Sequence, residues 1–207
     1  MPLTTIQCDA LREMGNIGAA HAATTLSQML ATDIQMNVPE ISMVDIAQIH
    51  RYIGDDVAAL VIFQIQGELS HGGYVLLHVP KESSIRLTNT MLGMDDPSRE
   101  MTEMDRSALL EIGNIMVSAF LDATAGLLNI VMLPSPPALV IDMPHAALET
   151  LIAEQEIEMN EIVLFRTELA SDQHKIHANI LLLPNPPMLS DIITILEGLI
   201  QSAPQTA

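Results

Sequence analysis

An internal repeat constrains the fold of this 207-residue chain more than any other feature of its sequence. Residues 10–17 read ALREMGNI and residues 108–115 read ALLEIGNI, so six of the eight positions are identical at an offset of 98. A proline follows the asparagine of each block after 23 positions, as Pro39 and as Pro137. Self-similarity at a fixed offset indicates that one structural unit occurs twice.

The repeat predicts a single domain that consists of two copies, at about 1–96 and 97–207. One copy alone has roughly 100 residues, which is a marginal size for an independent hydrophobic core, so we expect the copies to share one core. The offset grows to 104 between Pro80 and Pro184. We therefore place a short insertion of the second copy near residues 154–156.

Both copies show the same order of hydrophobic patterns. A long proline-free stretch with helical periodicity opens each copy, and three extended segments and a closing helix follow. The fold class we predict is α+β: two αβββα repeats related by a pseudo-two-fold axis, a mostly antiparallel sheet covered by helices on one face, and two long motif helices exposed on one side. The predicted ranges are about 5–31, 34–46, 57–65, 73–79 and 81–92 in the first copy, and 101–128, 130–142, 161–169, 175–183 and 187–201 in the second.

The two long helices are amphipathic in the same way. Their buried stripes are predicted to contain Cys8, Leu11, Gly15, Gly18, Ala22, Leu26 and Met29 in the first, and Leu109, Gly113, Met116, Phe120 and Leu127 in the second. The glycines on these stripes weaken a helix, so we expect them to allow close approach to the sheet. On the opposite face Glu13 and Asn16 lie three residues apart, as do Glu111 and Asn114, and each pair forms one exposed patch. Asparagine is a poor helix former, so its retention in both copies indicates that its amide is needed.

Composition excludes several classes of function. The chain has 26 acidic and 8 basic residues, a net charge of −18, which disfavours nucleic acids and anionic membranes as partners. One cysteine, Cys8, allows neither an internal disulfide framework nor a cysteine-based zinc site. We expect no signal peptide, no membrane span and a cytoplasmic location, because residues 1–5 lack a basic start and no apolar run is long enough. His174 and His177 lie in a strand-like segment, where residues three apart face opposite sides, so they are not expected to share a metal.

Both copies match one longer motif, Asp/Ser-x3-Glu-x2-Asn-x22-Pro, over four positions each. These positions are Asp9, Glu13, Asn16 and Pro39 in the first copy, and Ser107, Glu111, Asn114 and Pro137 in the second. With this motif the chain resembles the CheC phosphatases of chemotaxis, relatives of CheX and of the phosphatase part of FliY. The resemblance covers nearly the whole chain, and two complete motifs without a further C-terminal domain are similar to a stand-alone CheC.

The resemblance implies hydrolysis of the aspartyl phosphate on a response regulator, phosphorylated CheY. By this resemblance Asn16 and Asn114 orient the attacking water, and Glu13 and Glu111 pair with the active-site lysine of the regulator. The remaining motif positions support them. The regulator carries the Mg²⁺, and the chain is expected to need no metal or cofactor of its own. The residues suit this chemistry, since an acyl phosphate already has a good leaving group and an amide can both donate to and accept from a positioned water.

A second hypothesis is a non-catalytic adaptor that binds the receptor deamidase CheD or the flagellar switch. Residues 139–143 resemble the region through which CheC relatives bind CheD, and within it we single out Asp142. An adaptor would keep its partner when both asparagines are changed, whereas a phosphatase would lose its turnover. Both hypotheses stay open on the sequence alone.

Overall fold

The computed structural model describes residues 3–70, 73–153 and 161–202. Within these ranges the chain forms six α-helices and eight strands, and a short 3₁₀ turn at Ile46–Gln48. The helices are α1 (Thr5–Leu30), α2 (His50–Ile53), α3 (Lys81–Leu92), α4 (Glu103–Leu128), α5 (Pro144–Ala153) and α6 (Pro186–Ser202). The strands are β1 (Gln35–Met36), β2 (Glu40–Asp45), β3 (Ala58–Gly67), β4 (Tyr74–Pro80), β5 (Met132–Pro134), β6 (Ala138–Asp142), β7 (Glu161–Ser171) and β8 (Ile176–Leu183). The insertion predicted near residues 154–156 lies outside the described residues.

The strands form one antiparallel sheet in which the two repeats are interleaved. Strands β7, β8, β4 and β3 are consecutive neighbours in its centre, and the repeats meet where β4 pairs with β8. Strands β1 and β2 of the first repeat pair with β7 of the second, while β5 and β6 of the second repeat pair with β3 of the first. Each repeat therefore completes the sheet edge of the other. The predicted α+β class with an antiparallel sheet and two repeats is confirmed.

The first extended segment of each repeat departs from the prediction, because it forms two short strands instead of one. Pro39 lies between β1 and β2, and Pro137 lies between β5 and β6. Proline has no backbone N–H to donate, so it interrupts the ladder at the same place in both repeats. Short helices that the pattern did not predict, α2 and α5, follow these strands.

The two faces of the sheet bury separate apolar clusters, as the alternation of strand side chains requires. On one face α1, α4 and α6 pack over residues such as Val61 and Leu77. On the other face α2 and α5 pack over residues such as Leu60 and Leu76. The long helices do share one side, as predicted, but the expectation that helices cover only one face is wrong.

The two long helices begin and end with matching signals. Thr4 and Thr102 are the N-caps, and each forms a capping box with the residue three positions later, Gln7 or Asp105. Both helices have 26 residues and end at a residue in the left-handed conformation. These terminal residues are Ala31, with φ 49°, and Asn129, with φ 55°. The local sequence thus fixes where each motif helix starts and stops.

In the part of the chain that the structure describes, one helix, α4, is long and apolar enough by length and composition to cross a membrane. The sequence predicts no membrane span, because no uninterrupted apolar run is long enough, and Glu111 and Asp122 interrupt the apolar run of α4. More than half of the most apolar part of α4 is buried inside the fold. Packing against α1 and the sheet therefore accounts for the apolar residues of this helix.

Candidate functional site

A glycine lies on the buried face of each motif helix, one residue before the asparagine. A Cβ added at Gly15 would lie 3.4 Å from Cβ of Pro39, which is buried against α1. A Cβ added at Gly113 would lie 2.7 Å from Cγ1 of Val61 in β3, closer than real Cβ atoms approach. The predicted role is confirmed for Gly113. At Gly15 an added Cβ would be in ordinary contact with Pro39, so this proline packs on the backbone that precedes Asn16 and no close approach to a strand requires the glycine.

The repeats differ at the second motif proline and at a third glycine. Pro137 is half-buried, and the three atoms nearest to a Cβ at Gly113 all belong to Val61, so this proline does not repeat the packing of Pro39. Gly18 was expected to face the sheet, and this is wrong. A Cβ there would lie 2.8 Å from the ring of Phe120, so Gly18 allows α1 and α4 to touch instead.

The polar face of each long helix presents the predicted pair to solvent. Glu13 and Glu111 are exposed, and Asn16 and Asn114 are half-buried. Among the described residues, none forms a hydrogen bond or an ion pair with these four side chains. Among the described residues, the buried side-chain nitrogen and oxygen atoms that lack a hydrogen-bond partner belong to residues other than these asparagines. Neither amide is therefore buried without a partner. Each asparagine therefore has its full donor and acceptor capacity free for a partner and a water molecule.

The two pairs form separate sites on separate helices. Each glutamate and asparagine share a face by their spacing of three residues. The contact between α1 and α4 runs through buried residues such as Gly18 and Phe120, which lie on another side of the helices. The structure thus brings together the members of each motif pair, as predicted, and presents that patch twice.

The leading position of the motif behaves differently in the two repeats. Asp9 accepts a hydrogen bond from Nη1 of Arg12 at 2.8 Å, and both side chains are exposed. Ser107 donates its hydroxyl to the backbone oxygen of Glu103 at 3.1 Å. The first site consequently has a guanidinium next to Glu13 in sequence, and the second has none at the equivalent Leu110.

A buried ion pair that no sequence pattern predicted fixes the start of α4. Asp105 is fully buried, and its carboxylate accepts hydrogen bonds from both Nη atoms of Arg99. The distance from Nη1 to Oδ2 is 2.6 Å. Its Oδ2 also accepts from the backbone N and the hydroxyl of Thr102 at 2.7 and 2.6 Å. Hydrogen bonding from Arg99, and then from Thr102, holds the pKa of Asp105 well below its usual range despite burial. The Thr-x-x-Asp capping pattern was the available signal for Asp105, but no pattern pointed to Arg99.

The same arginine ties α4 to the end of the first repeat. Its Nε donates to Oδ1 of Asn89 at 2.7 Å, and Nη2 donates to the hydroxyl of Thr88 at 3.3 Å. Both acceptors belong to α3, so Arg99, which lies in the linker at residues 93–102, joins α3 to the N-terminus of α4. This network lies on the helix that presents Glu111 and Asn114.

The remaining candidates lie apart from the motif faces. Asp142 is exposed at the end of β6, where its carboxylate accepts from the backbone N of Met143 at 2.7 Å. His174 lies in the turn between β7 and β8, so its predicted strand position is wrong, while His177 places Nδ1 3.4 Å from Oε1 of Glu168. Within the described ranges, no group of three His, Cys, Asp or Glu side chains could hold a metal ion.

Comparison with known proteins relates the motif segments to one family. A family model described as the CheC-like family matches residues 6–43 and 104–141, which include both Glu-x-x-Asn pairs. The chain is 28% identical to the CheY-P phosphatase CheC of Bacillus subtilis over 186 residues, which cover 86% of this chain and 88% of that protein.

Two solved structures share the fold. FliY of Thermotoga maritima superposes with a TM-score of 0.75 and 21% identity over 96% of this chain and 99% of that chain. A chain in the CheX–CheY–BeF3–Mg²⁺ complex of Borrelia burgdorferi gives a TM-score of 0.57 and 18% identity over 82% of this chain and 97% of that chain. At these identities the likeness concerns the fold.

Proposed function

The chain belongs to the CheC-like family, and on this premise we propose that it hydrolyses the aspartyl phosphate of a response regulator, phosphorylated CheY, at two sites. The observation that carries the proposal is that the side-chain amides of Asn16 and Asn114 have no hydrogen-bond partner in the described part of the protein. Both amides lie half-buried on long helices, and neither has a hydrogen-bond partner among the described residues. The similarity to a CheY-P phosphatase supports the choice of substrate.

In this proposal each asparagine positions the attacking water. The amide oxygen accepts a hydrogen bond from the water, and the amide nitrogen can donate to a phosphoryl oxygen. Phosphoryl transfer needs mainly positioning and electrostatic stabilisation, and the carboxylate of the regulator is already a good leaving group. A hundredfold acceleration requires only about 2.7 kcal/mol, which one oriented amide can supply. Packing next to each amide supports this role, because Pro39 contacts α1 at Gly15 and Val61 lies too close to Gly113 for any side chain there.

Each glutamate anchors the helix in the cleft of the regulator. Glu13 and Glu111 are exposed and have no partner among the described residues, so their carboxylates are free to accept the lysine of the regulator. A carboxylate repels the phosphoryl group, so an anchoring role fits glutamate better than a role at the phosphorus atom. Mg²⁺, bound by the regulator, would neutralise charge on the phosphoryl oxygens.

The test is the decay of the phosphorylated regulator in the presence of asparagine variants. We expect Asn16→Ala and Asn114→Ala each to remove one site and to leave the other active. The double variant should return the decay to the rate of the regulator alone. Gln28→Ala provides a matched control, because Gln28 is an exposed amide on the same helix outside the motif. Normal turnover by the double variant would refute the proposal.

The adaptor hypothesis is supported by one observation, the exposed carboxylate of Asp142 beside the exposed side chain of Met143 at the sheet edge. An adaptor for CheD predicts that Asp142→Lys weakens the complex while the asparagine double variant binds normally. A titration that detects no CheD binding would count against this function. The two functions are compatible, since Asp142 lies on β6 and the motif pairs lie on α1 and α4.

A further inference from the structure

Two large apolar side chains are exposed at matching places in the two repeats. Ile6 is 65% exposed and Met104 is 63% exposed. Each is the second residue of its motif helix, and they are separated by the 98 residues of the repeat. Each precedes the motif glutamate of its helix, Glu13 or Glu111, by seven residues. Seven residues are nearly two helical turns, so the apolar side chain lies on the glutamate face, about 10 Å away along the axis.

The capping of the two helices does not require apolar residues at these positions. The helix N-termini are capped by Thr4 and Thr102, through hydrogen bonds that do not involve the neighbouring apolar side chains. A single exposed apolar residue is common on protein surfaces and needs no explanation. Here the feature occurs twice, in register with the repeat and in line with the pair that the proposed function uses.

We propose that Ile6 and Met104 are apolar anchors that contact the phosphorylated regulator when the glutamate and asparagine of the same helix engage it. This proposal rests on the proposed function and defines the surface that recognises the substrate. The regulator must then offer an apolar patch about 10 Å from the cation that pairs with the glutamate.

Charge favours such a contact over a second copy of this chain. The net charge of −18 gives no long-range attraction to an acidic regulator, so affinity must come from local contacts. Glu13 and Glu111 are exposed and have no partner among the described residues, so two copies that met through these faces would bring unpaired carboxylates together. A partner with a local cation and an apolar patch is complementary to this face.

The first anchor has more apolar surface around it than its exposed side chain alone. Ile6 borders a groove between α1 and α6, which is lined by the apolar residues Ala10, Ile193, Leu196 and Ile200 and by Gln7 and Glu197. This groove is continuous with the motif face through Ile6. Loss of the first anchor should therefore weaken binding at its site at least as much as loss of Met104 weakens binding at the other.

The test compares binding with turnover. The probe is the regulator loaded with beryllofluoride and Mg²⁺, and its Kd is measured by calorimetry. We expect Ile6→Ser with Met104→Ser to raise the Kd about tenfold, a change of about 1.4 kcal/mol. The rate at saturating enzyme should stay unchanged, because the asparagines are intact. Leu133→Ser is the control, since Leu133 is 53% exposed and lies on β5, outside both motif helices. The exchange variant Ile6→Met with Met104→Ile should keep the native Kd, because it keeps the apolar area.

The outcomes separate this proposal from the proposed function. If the Kd of the double serine variant is unchanged, the proposal that Ile6 and Met104 contact the regulator is wrong. The proposed phosphatase function is still supported in that case if the asparagine variants lose turnover. If Ile6→Ser dissolves a dimer and leaves the Kd unchanged, the groove joins two copies of this chain and the proposal is wrong. If the native protein neither binds the loaded regulator nor accelerates its decay, both proposals fail.

Discussion

The buried pair of Arg99 and Asp105 provides a sharp test of how the second motif helix is held in place. The change Asp105→Asn keeps the shape of the side chain and removes its charge. In the native protein the carboxylate accepts two hydrogen bonds from Arg99 and two from Thr102, and it is fully buried. An amide has one acceptor oxygen and would direct an N–H group at one of these donors. The variant therefore leaves the largely buried Arg99 without its counter-charge.

The magnitude follows from the burial of the pair. Removing one partner of a buried ion pair costs about 3–5 kcal/mol, since the remaining charge is uncompensated. We expect about 3 kcal/mol for Asp105→Asn, because Arg99 keeps its hydrogen bonds to Thr88 and Asn89. In a protein of this size that corresponds to a loss of about 6–12 °C in Tm.

The pH dependence gives this prediction a second check. The folded-state pKa of Asp105 lies below its unfolded value of 3.8, so the unfolded state binds the proton first as the pH falls. The contribution of this carboxylate is complete above about pH 5 and shrinks as the pH drops below about 4. The stability difference between native protein and variant should therefore be constant from pH 5 to 8 and smaller at pH 3.

The assay is urea unfolding followed by circular dichroism at pH 7 and pH 3. Asp9→Asn is the matched control, since Asp9 also pairs with an arginine but is exposed, and it should cost less than about 1 kcal/mol. A loss below 1 kcal/mol for Asp105→Asn, or a difference that does not shrink at pH 3, would refute the account of this ion pair.

Two further predictions concern buried packing. Burial, assisted by Arg166, lowers the pKa of His78 to about 4. The unfolded state therefore takes up a proton first below pH 6.5, and the free energy of unfolding falls with falling pH, by at most about 3 kcal/mol at pH 4. Urea titrations at pH 7 and 5 should show this pH dependence in the native protein and not in His78→Leu, and an equal dependence in both proteins would contradict it. Gly18→Ala should destabilise the protein by about 1–3 kcal/mol, because its Cβ would overlap α4, whereas Gly126→Ala, which meets open space, should stabilise it by up to about 1 kcal/mol. Thermal melts measure the change in stability for each glycine substitution. Equal effects of the two substitutions would show that close packing at Gly18 does not determine its effect.

Much of the fold could be predicted because the informative signals are local. The helical period and the absence of proline fixed α1 and α4 within about two residues, and the observed α3, Lys81–Leu92, coincides with its predicted range. The repeat indicated which helix face to examine, and Glu13 and Asn16 are accessible where their spacing placed them. These inferences need only neighbouring residues and the comparison of two copies.

The features that could not be predicted depend on contacts between distant segments. The pairing of β2 with β7, and of β6 with β3, joins different repeats, and hydrophobic alternation does not specify a partner strand. Helix α2 has four residues, too few for a helical period. The position of Gly18 against Phe120 depends on how α1 crosses α4. Arg99 gave no signal because it lies in the linker, outside any periodic element.

The central claim is that an oriented amide on each motif helix directs water to the phosphoryl group of the regulator. The most direct measurement pairs two observations on Asn16→Ala with Asn114→Ala: the Kd for the beryllofluoride-loaded regulator and the decay rate of the phosphorylated regulator at saturating enzyme. We predict a Kd near that of the native protein and a decay no faster than that of the regulator alone. A double variant that binds normally and still accelerates decay as the native protein does would contradict the account.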